Sequence, residues 1–359
     1  MSAPPAPRAR QTTARRRAAY LAYLAEGTDR FQEPPREDCP WCGSQRLRTR
    51  LRAGDLRLHK PGRFLLAECR DCVHTFQNPR LTAEGVTFYH RDLDEGRLAG
   101  VVARTGVRRG HRSAARAMLR FTEPESWLDV GTGHARFPQR AREFFPYTAF
   151  DGLDTTWRVQ RAQAAGRVEE AYIGHLTDPH IRARLRARYD VVSMLQHLHH
   201  TPDPREELRA ALDVLRPGGH LLVELPDPRS VFALLLGKWW LPYDQPRHLH
   251  LPPPANLRAE LEARGCTVLA VDRRTAHVPY DLAGAFALAL SHALPAPDTP
   301  WRAIPPTRLQ RGLRATLLAA GLPLVAAAWT ADHALAPLLR HTPFANAYRL
   351  IARKGASAA

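Results

Sequence analysis

The sequence predicts a doubly wound α/β domain preceded by a small four-cysteine module. Three observations carry this reading. Between residues 122 and 275 short apolar runs alternate with amphipathic stretches, as a parallel sheet with crossover helices requires. The first run enters a glycine turn, Gly131-Thr-Gly133, and the second ends on an acid, Asp154. Closer to the N-terminus, two C-x-x-C pairs, Cys39/Cys42 and Cys69/Cys72, have metal-ligand spacing.

Taken in order, residues 1–18 are rich in Pro, Ala and Arg and read as a flexible tail rather than a signal sequence. A short helix follows over Ala14–Glu26, where Tyr20, Leu21, Tyr23 and Leu24 form an apolar stripe. The tail and helix (1–36) give way to the cysteine module (37–80) and a helical linker (81–121). The α/β domain occupies 122–359, with strands expected at Ser126–Val130, Tyr147–Gly152, Glu170–Gly174, Asp190–Leu195, His220–Leu225, Thr267–Asp272 and Ala347–Ala352. Helices are expected near 135–145, 155–165, 178–188, 204–215 and 254–264. Leu215-Arg-Pro-Gly-Gly219 reads as a helix stop and a turn. Two insertions break the alternation: a Pro- and Trp-containing one at 226–254 and an Ala/Leu-rich helical one at 276–344.

The formal net charge is +17 over 359 residues, which would attract phosphates or an anionic membrane. Only Lys60, Lys238 and Lys354 are lysines. The arginines are spread along the chain, so compositional drift and an anionic partner both account for the charge. The longest uncharged run, Ala315–Ala331, is short for a membrane span and contains Gly321 and Pro323. The expected location is the cytoplasm.

Cys39-Pro-Trp-Cys42 and Cys69-Arg-Asp-Cys72 would each present two thiolates to one tetrahedral ion, closing the site. The expectation is one structural zinc without a catalytic role. Cys266, at a strand entry, reads as a buried small hydrophobe. In the glycine turn, Gly131 and Gly133 let backbone approach a ligand. Arg136 stands where a dinucleotide fold wants its third small residue, which argues against a pyrophosphate cradle. Asp154 could accept from the vicinal hydroxyls of a ribose, or cap the helix that follows it.

Leu128-Asp-Val-Gly-Thr-Gly133, Tyr189-Asp-Val-Val-Ser-Met-Leu195 and Leu215-Arg-Pro-Gly-Gly-His-Leu-Leu222 resemble, in order and spacing, the motifs of class I S-adenosylmethionine-dependent methyltransferases. The resemblance implies a seven-stranded Rossmann-like sheet. It also implies cofactor-binding roles for Asp129, Gly131, Thr132, Gly133, Asp154 and Gln196. His134 departs from the family's loop. A narrower resemblance, to zinc-ribbon methyltransferases of bacterial saccharide and natural-product clusters, rests on Cys39-Pro-Trp-Cys-Gly43, Asn78-Pro-Arg-Leu-Thr-Ala-Glu84 and Pro246-Arg-His-Leu249.

Methyl transfer from a sulfonium needs a positioned nucleophile and, where that nucleophile carries a proton, a base. Two histidine clusters fall at expected strand ends, Gln196-His-Leu-His-His200 and Tyr243-Asp-Gln-Pro-Arg-His-Leu-His250. His200 and His248 are therefore the candidate bases. The bland alternatives are that His199 or His200 caps a helix and that Arg247 and His248 lock the loop. Trp239-Trp240 is either core or a wall for acceptor stacking. The expected reaction is methylation of a small-molecule acceptor, a sugar or natural-product intermediate. RNA methylation, a non-catalytic binding role and a lipid-linked acceptor reached by peripheral membrane contact are the alternatives. For the stretch 311–340, a buried helix packed on the sheet is preferred over a membrane contact. Oligomeric state is left open.

Overall fold

The computed structural model describes residues 7–92 and 98–356. The chain opens on α1 (Pro7–Ala25) and then forms β1 (Leu47–Ala53), β2 (Phe64–Cys69) and β3 (Thr75–Gln77). Helix α1 starts at Pro7, so the described part of the expected tail is helical, while residues 1–6 lie outside the described residues. The expected helical linker is two helices, α2 (Ala83–His90) and α3 (Leu98–Met118). Thr82 caps α2, its side chain accepting from the Gly85 amide.

The α/β alternation follows: β4 (Ser126–Val130), α4 (Arg136–Ala141), β5 (Ala149–Asp154), α5 (Arg158–Ala164), β6 (Ala171–Ile173), α6 (Pro179–Arg184), β7 (Tyr189–Leu195), α7 (Pro204–Val214) and β8 (Leu215–Pro226). The 226–254 insertion gives α8 (Val231–Leu236), two one-turn helices and β9 (His250–Leu251). The remainder is α9 (Pro254–Ala263), β10 (Cys266–Asp272), α10 (Asp281–Ala293), α11 (Arg308–Leu339) and β11 (Ala347–Lys354). The fifth strand of the main sheet starts at Leu215, where a turn was expected; Leu215 already pairs with Tyr189, and the register shifts before Val191.

The seven strands lie in the order β10-β11-β8-β7-β4-β5-β6. All neighbours from β8 through β6 are parallel, and β11 runs antiparallel to both β8 and β10. The chain order reverses between β4 and β7, and in such sheets ligands bind outside the carboxyl ends at that point. Alternate side chains of β4 enter opposite cores. Trp127 packs with Phe137, Phe150, Ala115 and Met118 on one face, and Leu128 with Val192, Leu208 and Leu257 on the other. Trp127 also donates from Nε1 to Ser193 Oγ at 2.9 Å, so truncating it to Ala would cost about 3–5 kcal/mol.

A second sheet, β1-β2-β3-β9, holds the cysteine module. Its fourth strand comes from the insertion after β8: Phe76 pairs with His250, Thr75 with Leu251, and Gln77 N–H donates to Leu249 O at 2.8 Å. The module and the insertion are one packed unit, which the domain boundary at 80/81 did not foresee.

The largest correction concerns α11. It does not pack on the sheet as a buried helix. It leans on α10 through a narrow stripe that buries Val325, Ala328 and Asp332, while most of its surface is exposed. Asp332 accepts from the Leu282 and Ala283 amides at 3.1 and 2.9 Å and so caps α10. Gly321 permits the close approach, since a Cβ there would lie 2.5 Å from Leu290.

Candidate functional site

Gly131, Gly133 and Ala135 all have positive φ, at 72°, 54° and 50°. The third small residue of the loop is thus buried Ala135, one position before Arg136, and this is how the loop accommodates His134. The Gly131 and Thr132 amides donate to Leu153 O at 2.8 and 3.1 Å, tying the turn to the end of β5. Asp154 organises the rest. Its Oδ2 accepts from Gly133 N–H at 2.9 Å, and its Oδ1 accepts from the amide and hydroxyl of Thr156 at 2.8 and 2.6 Å. Asp154 thus fixes the turn ahead of α5 without capping that helix, whose N-cap is Trp157, and it stays partly exposed.

Nothing approaches within 4 Å of where a Gly133 Cβ would stand, so the open side of the loop fits a ligand pressed against backbone. Gly131 is different. A Cβ there would lie 2.4 Å from His197 Nδ1, so the space the glycine leaves is filled by this protein's own ring. His197 in turn meets buried Glu207 through Nε2 at 2.9 Å. The motif reading did not single out His197; its one signal was its place directly after Gln196.

Asp129 is buried and accepts from Ser193 Oγ at 2.6 Å, linking β4 to β7. Burial pushes its carboxyl up to about 6. Gln196 follows β7 in the left-handed region, φ 56°, and its backbone N–H donates to Glu224 O at 3.0 Å. A non-glycine residue in that conformation is held there by its surroundings.

The two histidine clusters converge. The ring of His199 lies 4.0 Å from that of His248 and 4.3 Å from that of His200, while His200 and His248 are 4.7 Å apart, centre to centre. A fourth ring, His90 at the end of α2, is 5.3 Å from His200. Sequence reading had no means of placing it there. His248 Nδ1 lies 2.6 Å from Pro242 O, His200 Nδ1 3.0 Å from Arg247 O, and His90 Nδ1 2.9 Å from Val86 O. Carbonyl oxygens only accept, so in the neutral rings Nδ1 carries the proton; Nε2 of His90 faces His200 Nδ1 at 3.4 Å, while Nε2 of His200 and of His248 keeps its lone pair. Burial drives His90 and His248 down to about 4 and His199 and His200 well below the ordinary value. Their mutual repulsion and Arg247 add to the effect on the cluster.

The loop that carries His248 is locked through Arg247, as the alternative supposed, with Asp55 and Asp244 as its anchors. Its guanidinium, fully buried, binds both oxygens of Asp55 at 3.0 and 2.8 Å and Asp244 Oδ1 at 3.1 and 2.7 Å. Arg57 reaches Asp244 Oδ2 at 2.6 Å. Burial alone would raise Asp244; Arg247 and Arg57 outweigh it and hold the carboxyl well below its usual range. Tyr243, in the same loop, accepts from Arg50 at 3.1 Å. The tryptophan pair divides. Trp240 is core and donates to Asp281 at 2.7 Å, whereas half-buried Trp239 faces His292.

Beside this loop lies a cavity of about 500 Å³, bordered by Arg52, Arg63, Phe64, Lys238 and His292. No carboxylate lines it, and among the described residues Arg52, Arg63 and Lys238 pair with none. A smaller pocket shares Gly54 and Lys238 with it and reaches Tyr243, Asp244 and Gln245.

The four cysteines meet as the spacing predicts. Their sulfurs lie within 4.8 Å of one another, with Cys39–Cys72 and Cys42–Cys69 at 3.6 Å, and all four are free thiols. The Trp41 and Asp71 amides point at Cys39 and Cys69 Sγ at 3.4 Å. The neighbouring Cys39 thiol and burial push Cys72 up, and burial raises Cys42. Four thiolates so close call for a cation, and this donor set fits tetrahedral zinc. Cys266 is buried at the start of β10.

The order of the seven strands and the glycine loop at the switch point are those of the Rossmann-like methyltransferase fold. Comparison with known proteins agrees: residues 106–271 match the model of a methyltransferase domain family. The chain is 36% identical over 96 residues to the ubiquinone biosynthesis O-methyltransferase of Serratia proteamaculans, covering 26% of this chain and 39% of that protein. It is 28% identical over 148 residues to the enzyme of the same name from Aeromonas salmonicida, covering 39% and 62%. The match thus spans less than two thirds of either relative. Among solved structures, the [4+2]-cyclase SpnF aligns with a TM-score of 0.42 and 18% identity over 68% of this chain and 80% of that one.

Proposed function

We propose that this chain transfers the methyl group of S-adenosylmethionine to a small-molecule acceptor, a sugar or natural-product intermediate, and carries one structural zinc on Cys39, Cys42, Cys69 and Cys72. The observation that supports this most is the convergence of His199 and His200 with His248. They form a wall of neutral imidazoles beside the loop whose His197 touches Gly131.

When bound, the cofactor supplies an electrophilic methyl on a sulfonium. The residues that would hold it are Gly131, Thr132 and Gly133 of the turn, with Asp129, Asp154 and Gln196 around them. Asp154 offers a partly exposed carboxylate already fixed by Gly133 and Thr156, so little ordering remains for it on binding. His248 and His200 start neutral, the form a base must have, and their Nε2 lone pairs are free to take an acceptor proton. Asp244 favours the protonated form of His248 electrostatically, which offsets part of the cost of a buried imidazolium. The unpaired cations Arg52, Arg63 and Lys238 support an acceptor bearing an anionic group, such as a nucleotide-sugar.

The test is incubation with methyl-labelled cofactor and separate pools of nucleotide-sugars, neutral glycosides and RNA. Label entering the nucleotide-sugar pool, with KM raised by Lys238→Gln, supports the reading. Label entering RNA alone overturns it.

A further inference from the structure

Helix α11 is 32 residues long, about 48 Å at 1.5 Å per residue. From Ala315 to Ala331 it has no charged side chain. Leu309, Leu313, Leu317, Leu324, Leu335 and Leu338 are 40–81% exposed. At about 100° per residue they fall within roughly a quarter turn of one another. Their face adjoins the stripe that packs on α10, formed by Val325, Ala328 and Asp332, and is centred about a quarter turn from it; Leu322, also exposed, lies on the stripe's other side. Short α8 extends the apolar surface: its Phe232 packs on Phe344, just past the end of α11, and it exposes Leu234 and Leu235. A contiguous apolar face of this length is far beyond the scattered hydrophobics of an ordinary surface.

Charge identifies what covers it. Arg308 and Arg311 stand at one end of α11 and Arg340 at the other. The acid near the first end, Asp298, is engaged by Arg17 and Arg311, and the acid of the helix itself, Asp332, is buried. On the same wheel Arg308, Arg311 and Arg340 lie on the side opposite the leucines, the arrangement of an amphipathic helix that lies in an interface with its cations among the headgroups. An anionic surface neutralises both ends at once.

We infer that the leucine face of α11 docks in the interfacial layer of an anionic phospholipid bilayer, with the terminal arginines at headgroup level. The helix lies on the surface and does not span it, because its other stripe is committed to α10 and Asp332 caps that helix. This does not rest on the methyl-transfer reading.

The experiment is co-sedimentation of the full chain with vesicles of phosphatidylcholine alone and of phosphatidylcholine with phosphatidylglycerol, at low and high salt. Binding to the anionic vesicles that weakens with salt is expected. The double variant Leu313→Asp/Leu324→Asp should lower partitioning at least tenfold while retaining the far-UV circular dichroism and melting temperature of the parent. Arg308→Gln/Arg340→Gln should weaken binding less and flatten its salt dependence. A parent chain that stays in the supernatant with anionic vesicles overturns the inference. So does a dimer in light scattering that the leucine variants split without any vesicle binding.

Discussion

The ring of His197 occupies the space that the missing side chain of Gly131 leaves, with Nδ1 2.4 Å from where a Cβ would be. Gly131→Ala therefore meets two obstacles, this contact and a φ of 72° that costs a non-glycine residue about 1–2 kcal/mol. Cofactor affinity should fall at least tenfold by calorimetry. Adding His197→Ala should recover only the steric part. Equal affinity of Gly131→Ala and the parent would mean that the loop is not the binding element.

Asp154→Ala should weaken S-adenosylmethionine binding ~10–100-fold, the equivalent of about 1.5–3 kcal/mol for a charge-assisted contact. The variant also frees the Gly133 amide, so loop protection in hydrogen exchange should drop in the absence of cofactor. Unchanged affinity would place the ribose elsewhere.

His248→Ala and His200→Ala should each lower turnover ~10²–10⁴-fold with little change in cofactor affinity. The acid limb of the parent's rate profile should fall near pH 4, where His248 titrates, rather than near 6.5. Near-normal turnover in both variants would leave proximity alone to drive transfer.

Stability should decline in the same direction. His90 and His248 titrate near 4 in the folded chain and near 6.5 when unfolded. Between those values the unfolded chain binds more protons, so stability is present above about pH 6.5 and is lost as pH falls toward 4. Each such group contributes up to about 1.4 kcal/mol per pH unit. Melting temperatures measured across that range should drop steeply, and less steeply in His90→Phe.

Metal analysis of freshly purified protein should find one zinc per chain. Cys69→Ser should release it and lower the melting temperature, because Cys69 ends β2 at the centre of the ribbon's core. Five titratable thiols in the native protein without denaturant would sink the assignment.

The strands of the main sheet and the switch-point loop were legible because each local signal agreed with its neighbours: apolar runs of strand length, helix caps, glycine at positive φ. The four cysteines and the meeting of His200 with His248 could be read from motif spacing and strand ends. His90 could not, since it reaches the cluster from a helix 110 residues earlier in the chain. Nor could the cavity of Arg52, Arg63 and Lys238, which only the docking of the ribbon on the insertion creates. Helix α11 was misplaced for a simpler reason. Its apolar composition resembles that of a core helix, and composition does not say which neighbour, if any, covers a face.

Strand β9 has a consequence for the order of synthesis. The ribbon's sheet needs residues 250–251 to cover the open edge of β3. A ribosome must therefore add more than 170 residues after Gln77 before that edge is satisfied. Until then the nascent ribbon displays an unpaired strand edge, an invitation to intermolecular pairing. Early metal capture by the cysteines would hold the ribbon compact through that interval, so zinc-starved cells should accumulate this protein in inclusion bodies rather than as a soluble apo form.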